Sequence, residues 1–155
     1  MRRTHLPDDF YLSLTEFLLH AKQQIVGMSA DYGLSSMQAL TLLLSSPSEP
    51  RPMNSFCKLY DCDASNVTGI VDGLEQKGLV SRQPHPDDRR IKIIQLEPAG
   101  DKLRREIANR LSSQSDSLFN GLDMHEIEQL AGLIQKVAVA STPKNVCPVR
   151  RLAHL

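Results

Sequence analysis

The sequence predicts a mainly α-helical fold that includes one small antiparallel β-ribbon. Apolar residues recur at helical spacing along most of the chain, and aromatic residues make up only 5%, without tryptophan. One stretch, residues 79–96, has instead two short apolar runs separated by a polar tip. With 155 residues, the chain is long enough for one domain, or for one domain with a dimerisation extension.

Two helices are predicted before the first proline-rich loop. The first begins after Asp9 and ends near Ser29. The second begins at the capping box formed by Ser35 and Gln38 and ends at Leu44, before a loop with three prolines. The apolar face of the first helix consists of Phe10, Leu14, Phe17, Leu18, Ala21, Ile25 and Met28.

Two helices joined by a short turn come next. A helix from about Met53 to Tyr60 leads through the turn 61–63 into an amphipathic helix that Asp63 caps and Gly78 ends. Its inner face is apolar at i, i+3, i+4 and i+7, which predicts a buried stripe: Val67, Ile70, Val71 and Leu74. Its outer face is small or polar: Ser65, Gly69, Asp72 and Gln76, flanked by Asn66 and Thr68.

The ribbon is predicted to pair Leu79–Gln83 with Ile91–Leu96 in antiparallel fashion. Its tip, Pro84–Arg90, is too polar to be buried. A helix with a small polar outer face beside a ribbon tipped with arginine suits a protein that reads the major groove of DNA and holds the adjacent minor groove.

Two further helices are predicted after the ribbon. Pro98 begins a long one, and the capping box of Asp123 and Glu126 begins the last, which Pro143 ends. The first helix and these two have apolar faces that a lone helix-turn-helix unit could not cover, which predicts burial against a second copy of the chain. The expected organisation is an N-terminal dimerisation helix in 1–30, a DNA-binding lobe in 31–98, C-terminal dimerisation helices in 99–141 and a loosely ordered tail in 142–155.

Charge is neutral overall but uneven along the chain. Lysine plus arginine equals aspartate plus glutamate, 18 each, so the net charge gives no support for nucleic-acid binding. Between Lys77 and Lys92, however, five basic residues stand against only two acidic ones. The ribbon is therefore locally basic.

These segments resemble the MarR family of winged helix-turn-helix transcription regulators. The match is densest over residues 62–72, continues to Arg82, and includes the D-x-R signature in residues 88–90; Gly100 fits the end of that signature. Three departures stand out: His85 where the wing usually opens with an acidic residue, Glu97 where a threonine usually caps the next helix, and Gly73 where arginine is common. Gly73 removes a charge and costs roughly 1 kcal/mol of helix propensity.

The candidate base-reading residues are Ser65, Asn66 and Thr68, in the first turns of the second helix of the motif. Asparagine can pair bidentately with adenine, and serine or threonine can contact phosphates. The alternative is that they only cap the helix, because these residue types favour first turns. Gly69 either allows close approach to the DNA backbone or is simply tolerated on a solvated face.

At the wing tip, Arg90 is the candidate for insertion into the minor groove, where negative potential favours arginine. Asp88 is expected to fix the Arg90 guanidinium by a charge-assisted bond. Arg89, Lys92 and Arg82 are candidate phosphate contacts. The alternative is a solvated hairpin with an ordinary ion pair.

Catalytic and metal sites are not predicted. Cys57, Cys62 and Cys147 lack zinc-type spacing, and no nucleophile and base are spaced for catalysis. Glu16 and His20, at i and i+4, form half a metal site at most, so a surface ion pair is the favoured interpretation. No signal peptide or membrane span is evident, and we expect a cytoplasmic protein without cofactors.

The resemblance implies a homodimeric, ligand-responsive regulator, expected to be a repressor, that binds double-stranded DNA at a pseudo-palindromic operator. It also implies a small aromatic effector, bound between the dimer helices and the DNA-binding lobe; no effector-binding residues are assigned. The alternative function is a winged-helix protein-interaction module without sequence-specific DNA binding, favoured by the neutral charge and by Gly73.

Overall fold

Six helices and three short strands make up residues 7–141, the part of the chain that this computed structural model describes. They confirm the predicted mainly helical fold with a small antiparallel wing. The tail 142–155, with Cys147, lies outside the described residues. In chain order the elements are α1 (Phe10–Asp31), α2 (Ser36–Leu44), β1 (Arg51–Pro52), α3 (Met53–Tyr60), α4 (Ala64–Gln76), β2 (Val80–Pro84), β3 (Lys92–Leu96), α5 (Pro98–Leu118) and α6 (Met124–Ser141).

The sheet contains one strand more than the predicted ribbon. β2 and β3 pair antiparallel from Val80 opposite Leu96 to Pro84 opposite Lys92, and the strand order is β1-β3-β2. β1 lies within the stretch that was expected to be loop. Because it is only two residues long and ends in proline, it has no alternation from which a strand could be predicted.

The core lies where α2, α3, α4 and α5 meet the sheet. Its largest fully buried side chains include Phe56, Leu42, Ile94 and Ile107. The predicted stripe of α4 is confirmed: Val67, Val71 and Leu74 are buried and Ile70 is packed against them. Full burial of one such side chain contributes about 1.5–3 kcal/mol, so this stripe holds α4 firmly against the lobe.

All three predicted N-terminal caps are present. In the α2 box, the backbone N–H of Gln38 donates to Ser35 Oγ at 3.2 Å, and Gln38 Oε1 accepts the Ser35 N–H at 3.0 Å. The Asp123 and Glu126 box that opens α6 has both of its bonds at 2.9 Å. Asp63 accepts the backbone N–H of Asn66, also at 2.9 Å. Each cap satisfies donors that the helix itself leaves unpaired.

Two glycines allow α4, β2 and α5 to meet closely. Gly78 has φ +67°, and its N–H donates to Glu75 O at 2.8 Å while the Leu79 N–H donates to Leu74 O at 3.0 Å, which is a Schellman motif. Gly100, at the start of α5, leaves no room for a Cβ because the Leu79 carbonyl occupies that space. The beginning of β2 is therefore held between the end of α4 and the beginning of α5.

The outward faces of α1 and α6 carry large apolar side chains in the single chain. Of the predicted face of α1, Met28 is buried, whereas Phe10, Leu14 and Leu18 are exposed. α1 packs against α2 and α5 through residues that include Met28, and an ion pair joins Asp31 at its end to Arg110 of α5. None of the helices within residues 7–141 is long and apolar enough to cross a membrane. The exposed large apolar residues on α6 and just before it are Leu122, Met124, Leu133, Ile134 and Val137.

Candidate nucleic-acid interface

The N-terminal half of α4 presents its polar side chains to solvent. Ser65, Asn66, Thr68 and Gly69 are all exposed on one side of the helix. Two of the three polar side chains are already bonded locally: Ser65 Oγ donates to Asp63 Oδ1 at 2.6 Å, and Thr68 Oγ1 donates to Ala64 O at 2.8 Å. Within residues 7–141, the Asn66 amide is the one side chain of the three without an intramolecular hydrogen bond.

Asp63 organises this first turn. Its carboxylate accepts from the Ser65 hydroxyl and from the Asn66 backbone N–H. These bonds, the Ser65 bond foremost, lower the pKa of Asp63 below its ordinary value. The carboxylate therefore stays ionised and holds the turn in one arrangement.

The turn that precedes α4 depends on one residue with left-handed backbone geometry. Asp61 has φ 49°, and the N–H of the next residue, Cys62, bonds to Cys57 O at 3.1 Å. Both thiols are free, half-buried and packed against the core. Desolvation of the thiol is the main cause that raises the pKa of Cys62, and the neighbouring Cys57, Asp63 and Asp61 raise it further. The structure thus places both cysteines as packing residues.

Arg82 of β2 turns its guanidinium back onto α4. Nη2 forms an ion pair with Asp72 and donates to the Thr68 carbonyl at 3.0 Å, and Nη1 lies 3.2 Å from Glu75 Oε2. The backbone N–H of Arg82 donates to the other Glu75 oxygen at 2.8 Å. In this arrangement the charge of Arg82 is paired with carboxylates of the same chain. This differs from the exposed phosphate contact expected from the sequence.

Asp72 and Glu75 are the site residues that the sequence analysis did not identify. Asp72 was noted on the outer face of α4, one helical turn after Thr68, but its spacing in the sequence gives no partner. The pairing with Arg82 is made across two different elements, ten residues apart. The signal available in the sequence was that Arg82, a basic residue on the strand after α4, follows two carboxylates of that helix, Asp72 and Glu75.

The wing tip exposes Arg89, Arg90 and Lys92 to solvent. Asp88 holds the tip in a way that differs from the expected one: its Oδ1 accepts the backbone N–H of Arg90 at 3.0 Å, and its carbonyl accepts the Ile91 N–H at 3.0 Å. Among the described residues, Asp88 makes no ion pair with the Arg90 guanidinium. The short side chain of Asp88 is better placed for a local turn, and the guanidinium of Arg90 projects freely.

His85, the departure from the acidic residue usual at this position, closes the base of the tip. The backbone N–H of His85 donates to Ile91 O at 2.8 Å, and its ring Nδ1 accepts the backbone N–H of Asp87 at 3.2 Å. The ring is half-buried. His85 thus acts through hydrogen bonds that shape the loop, and the tip does not need a carboxylate at this position.

The two glycines of α4 have different surroundings. A Cβ on Gly69 would meet nothing within 4 Å, so this part of the outer face is open to an approaching backbone. A Cβ on Gly73 would meet the side-chain amide of Gln38, which belongs to the capping box of α2. A larger residue at position 73 would therefore displace the Gln38 amide from its present position.

Within residues 7–141, no group of three or more histidine, cysteine, aspartate or glutamate side chains is arranged to hold a metal ion. The exposed polar and basic side chains at this surface offer hydrogen bonds and positive charges. An exposed polar helix turn and an arginine-tipped hairpin project from the same lobe.

Comparisons with known proteins find similar sequences among transcriptional regulators. Residues 36–92 match the family model described as "MarR family". The chain is similar to "Uncharacterized HTH-type transcriptional regulator YhbI" of Bacillus subtilis (strain 168), 27% identical over 117 residues, covering 74% of this chain and 76% of that protein.

Solved structures share the fold. The transcriptional regulator BldR from Sulfolobus solfataricus is 26% identical with a TM-score of 0.65, covering 87% of this chain and 99% of that one. CouR from Rhodococcus jostii RHA1, solved bound to p-coumaroyl-CoA, is 23% identical with a TM-score of 0.70, covering 91% of this chain and 99% of that one. At that identity, the likeness to CouR is one of fold.

Proposed function

We propose that the chain is a MarR-family winged helix-turn-helix transcription regulator, a homodimeric, ligand-responsive repressor that binds a pseudo-palindromic operator. The match of residues 36–92 to the MarR family model supports this proposal. The observation that carries the proposal is the exposed first turn of α4 beside the exposed, arginine-tipped wing. YhbI and BldR, to which the chain is similar, are transcriptional regulators, and no reaction is proposed for this chain. Binding to genomic DNA would place its action in the cytoplasm.

α4 is the proposed reader of the major groove. Asn66 is the leading candidate for base recognition, since its amide is free to pair bidentately with adenine. Ser65 and Thr68 retain hydroxyl lone pairs and would accept or relay bonds at the groove edge. Gly69 leaves the outer face open for close approach to the DNA backbone.

The wing is the proposed contact to the adjacent minor groove. Arg90 would enter it, because the narrow groove concentrates negative potential. Arg89 and Lys92 would contact phosphates, which position the protein without reading sequence. Asp88 contributes indirectly, by holding the backbone from which Arg90 projects.

The dimer is proposed to form through residues 1–30 and 99–141, which flank the lobe 31–98. Exposed apolar residues on α1 and α6 support this proposal, because a monomer would leave a large apolar surface in water. Two copies of α4 would then lie about 34 Å apart, one turn of the DNA helix.

The effector is proposed to be a small aromatic compound, bound between the dimer helices and the lobe. It would favour a spacing of the two lobes that no longer matches the groove repeat, and so would weaken operator binding. Support comes from the fold shared with CouR, which was solved with p-coumaroyl-CoA.

The direct test is an electrophoretic shift on duplex DNA from upstream of the chain's own coding region, with random duplex as competitor. We expect a shift that random DNA does not abolish and that weakens steeply with salt. The alternative, a protein-interaction module, draws on the zero net charge. Equal and weak binding to both duplexes would contradict the repressor proposal and favour that alternative.

A further inference from the structure

The guanidinium of Arg82 connects the wing to the helix proposed to read DNA. We propose that Arg82 is a positioning residue: it fixes the wing against α4 through Asp72, and so sets where Arg90 lies relative to the base-reading turn. This inference rests on the proposed function. It assigns Arg82 a role different from the phosphate contact expected from the sequence.

The bonding of Arg82 supports this role. Its two terminal nitrogens contact Asp72, Glu75 and the Thr68 carbonyl, and its backbone N–H donates to Glu75. Its side chain is about three-quarters buried, with 25% exposed. Its Nε is buried without a hydrogen-bond partner among the described residues. The side chain is thus packed and bonded against α4.

The position of Arg82 gives these bonds leverage over the wing. Arg82 pairs with Ile94 in the middle of the β2–β3 ladder, two residues before Pro84 ends the strand. On α4, the Thr68 carbonyl lies one turn before Asp72 and belongs to the last of the three polar residues of the base-reading turn. One planar group therefore connects the centre of the hairpin with the exposed half of the recognition helix.

Charge makes the two roles mutually exclusive. If Arg82 turned outward to a phosphate, Asp72 and Glu75 would lose their cation at a surface facing polyanionic DNA. Two uncompensated carboxylates there would repel the phosphates that the arginine had reached. As a positioning residue, the same arginine neutralises one of these charges and keeps the wing in place.

The substitution Asp72→Asn separates the two roles by the sign of its effect. If Arg82 is a positioning residue, Asp72→Asn weakens operator binding by about threefold to tenfold, which lies within the range of couplings between residues in direct contact. If Arg82 is a phosphate contact, the substitution tightens binding, because it releases the arginine and removes a negative charge. Asp87→Asn is the matched control: it removes the same charge from the exposed wing tip without touching Arg82.

Arg82→Lys and Arg82→Ala complete the DNA-binding experiment. Lysine keeps the charge but not the planar fork that spans two carboxylates. We expect both variants to lose operator affinity with an unchanged salt slope, and Arg82→Ala to add little to Asp72→Asn in the double variant. The proposal would be overturned by additive effects in the double variant, by full operator affinity in Arg82→Lys, or by a salt slope lowered by about one unit. Each of these results would show that Arg82 is a phosphate contact.

A measurement without DNA tests the inference independently of the proposed function. In hydrogen exchange on the full chain, Arg82→Ala and Asp72→Asn should increase the exchange rate of the His85 and Ile91 amides severalfold. The amides of the α4 core, such as Leu74, should change little. Unchanged wing exchange in both variants would overturn the proposal. If the parent protein fails to select its operator but the two variants show this change in exchange, only the repressor proposal is contradicted.

Discussion

At the residue scale, the side chains of the proposed interface differ in how free they are to bind DNA. Ser65 and Thr68 donate their hydroxyl hydrogens to neighbours in α4 and its cap, whereas the Asn66 amide has no such bond among the described residues. This ranking could not be read from the sequence, in which all three are equivalent polar residues of a first turn. Only the placement of the hydroxyls distinguishes them.

Asn66→Ala should reduce discrimination between operator and random duplex, at a cost of roughly 1–3 kcal/mol on the operator, because a bidentate base contact is lost. Fluorescence anisotropy titrations with both duplexes at matched salt would measure this. An equal loss of affinity for the two duplexes would mean that this turn is not the reader.

Lys92→Ala provides the contrast, because Lys92 lies exposed at the start of β3, where phosphates are the nearer partners. It should weaken operator and random duplex to a similar extent and lower the salt slope by about one unit. A selective effect on the operator would instead give Lys92 a part in sequence recognition.

Arg90→Ala should weaken operator binding by about 1–3 kcal/mol and leave assembly unchanged, since Arg90 projects from the wing tip without an internal ion pair among the described residues. Asp88→Ala should weaken binding less, because it loosens the Arg90 backbone and leaves the guanidinium in place. Titration at one salt concentration, with sedimentation of each variant as control, measures both. Parent-like affinity in both variants would show that the wing has no such role.

At the element scale, α4 was the most predictable part of the molecule. Its cap at Asp63, its buried stripe and its end at Gly78 all depend on signals within a few residues, and all three are confirmed. β1 was missed because its pairing with β3 joins residues about forty positions apart. The Arg82 contacts were missed for the same physical reason: they depend on how two elements pack, not on local spacing.

The cap of α4 should make stability depend on pH. The pKa of Asp63 is lowered on folding, so its contribution is present at pH values above the ordinary carboxyl pKa and is lost as the pH falls through the lowered value. Asp63→Asn can still cap but does not titrate, so it should retain most of the stability near neutral pH and lose part of the acid sensitivity.

Urea unfolding of the parent, Asp63→Asn and Asp63→Ala at neutral and acidic pH would test this dependence. Asp63→Ala should be less stable than Asp63→Asn at neutral pH, and the gap between parent and Asp63→Ala should narrow in acid. If that gap has the same size at both pH values, the carboxylate of Asp63 does not stabilise the helix as proposed.

At the scale of the whole molecule, the prediction of a dimer depends on surplus apolar surface. Exposed side chains such as Leu12, Leu18 and Met124 lie on helices outside the lobe. The excess of apolar helix faces was readable from the sequence, whereas the mutual arrangement of two copies is not encoded in local spacing. The dimer and the proposed limits 1–30, 31–98 and 99–141 therefore remain predictions.

Analytical ultracentrifugation should give a dimer at micromolar concentration. Deleting everything after Asp123 should cause aggregation or unfolding, because the dimer would lose α6, one of the helices proposed to form it, and the remaining apolar faces would be exposed to water. Val137→Glu is a milder variant: it places a charge on an exposed apolar position of α6 and should shift the equilibrium towards monomer. A full-length monomer that stays in solution would remove the basis for a palindromic operator.

The rims of the small sheet have a consequence for behaviour at high concentration. On the β2 side, the Arg82 N–H is occupied by Glu75, and Pro84 has no N–H to offer. On the β1 side, Pro52 likewise lacks a donor. Strand addition from a neighbouring molecule needs a row of open backbone donors, and these two rims interrupt such a row. The edges of the wing can therefore stay exposed, as DNA binding requires, without becoming a seed for amyloid-like stacking.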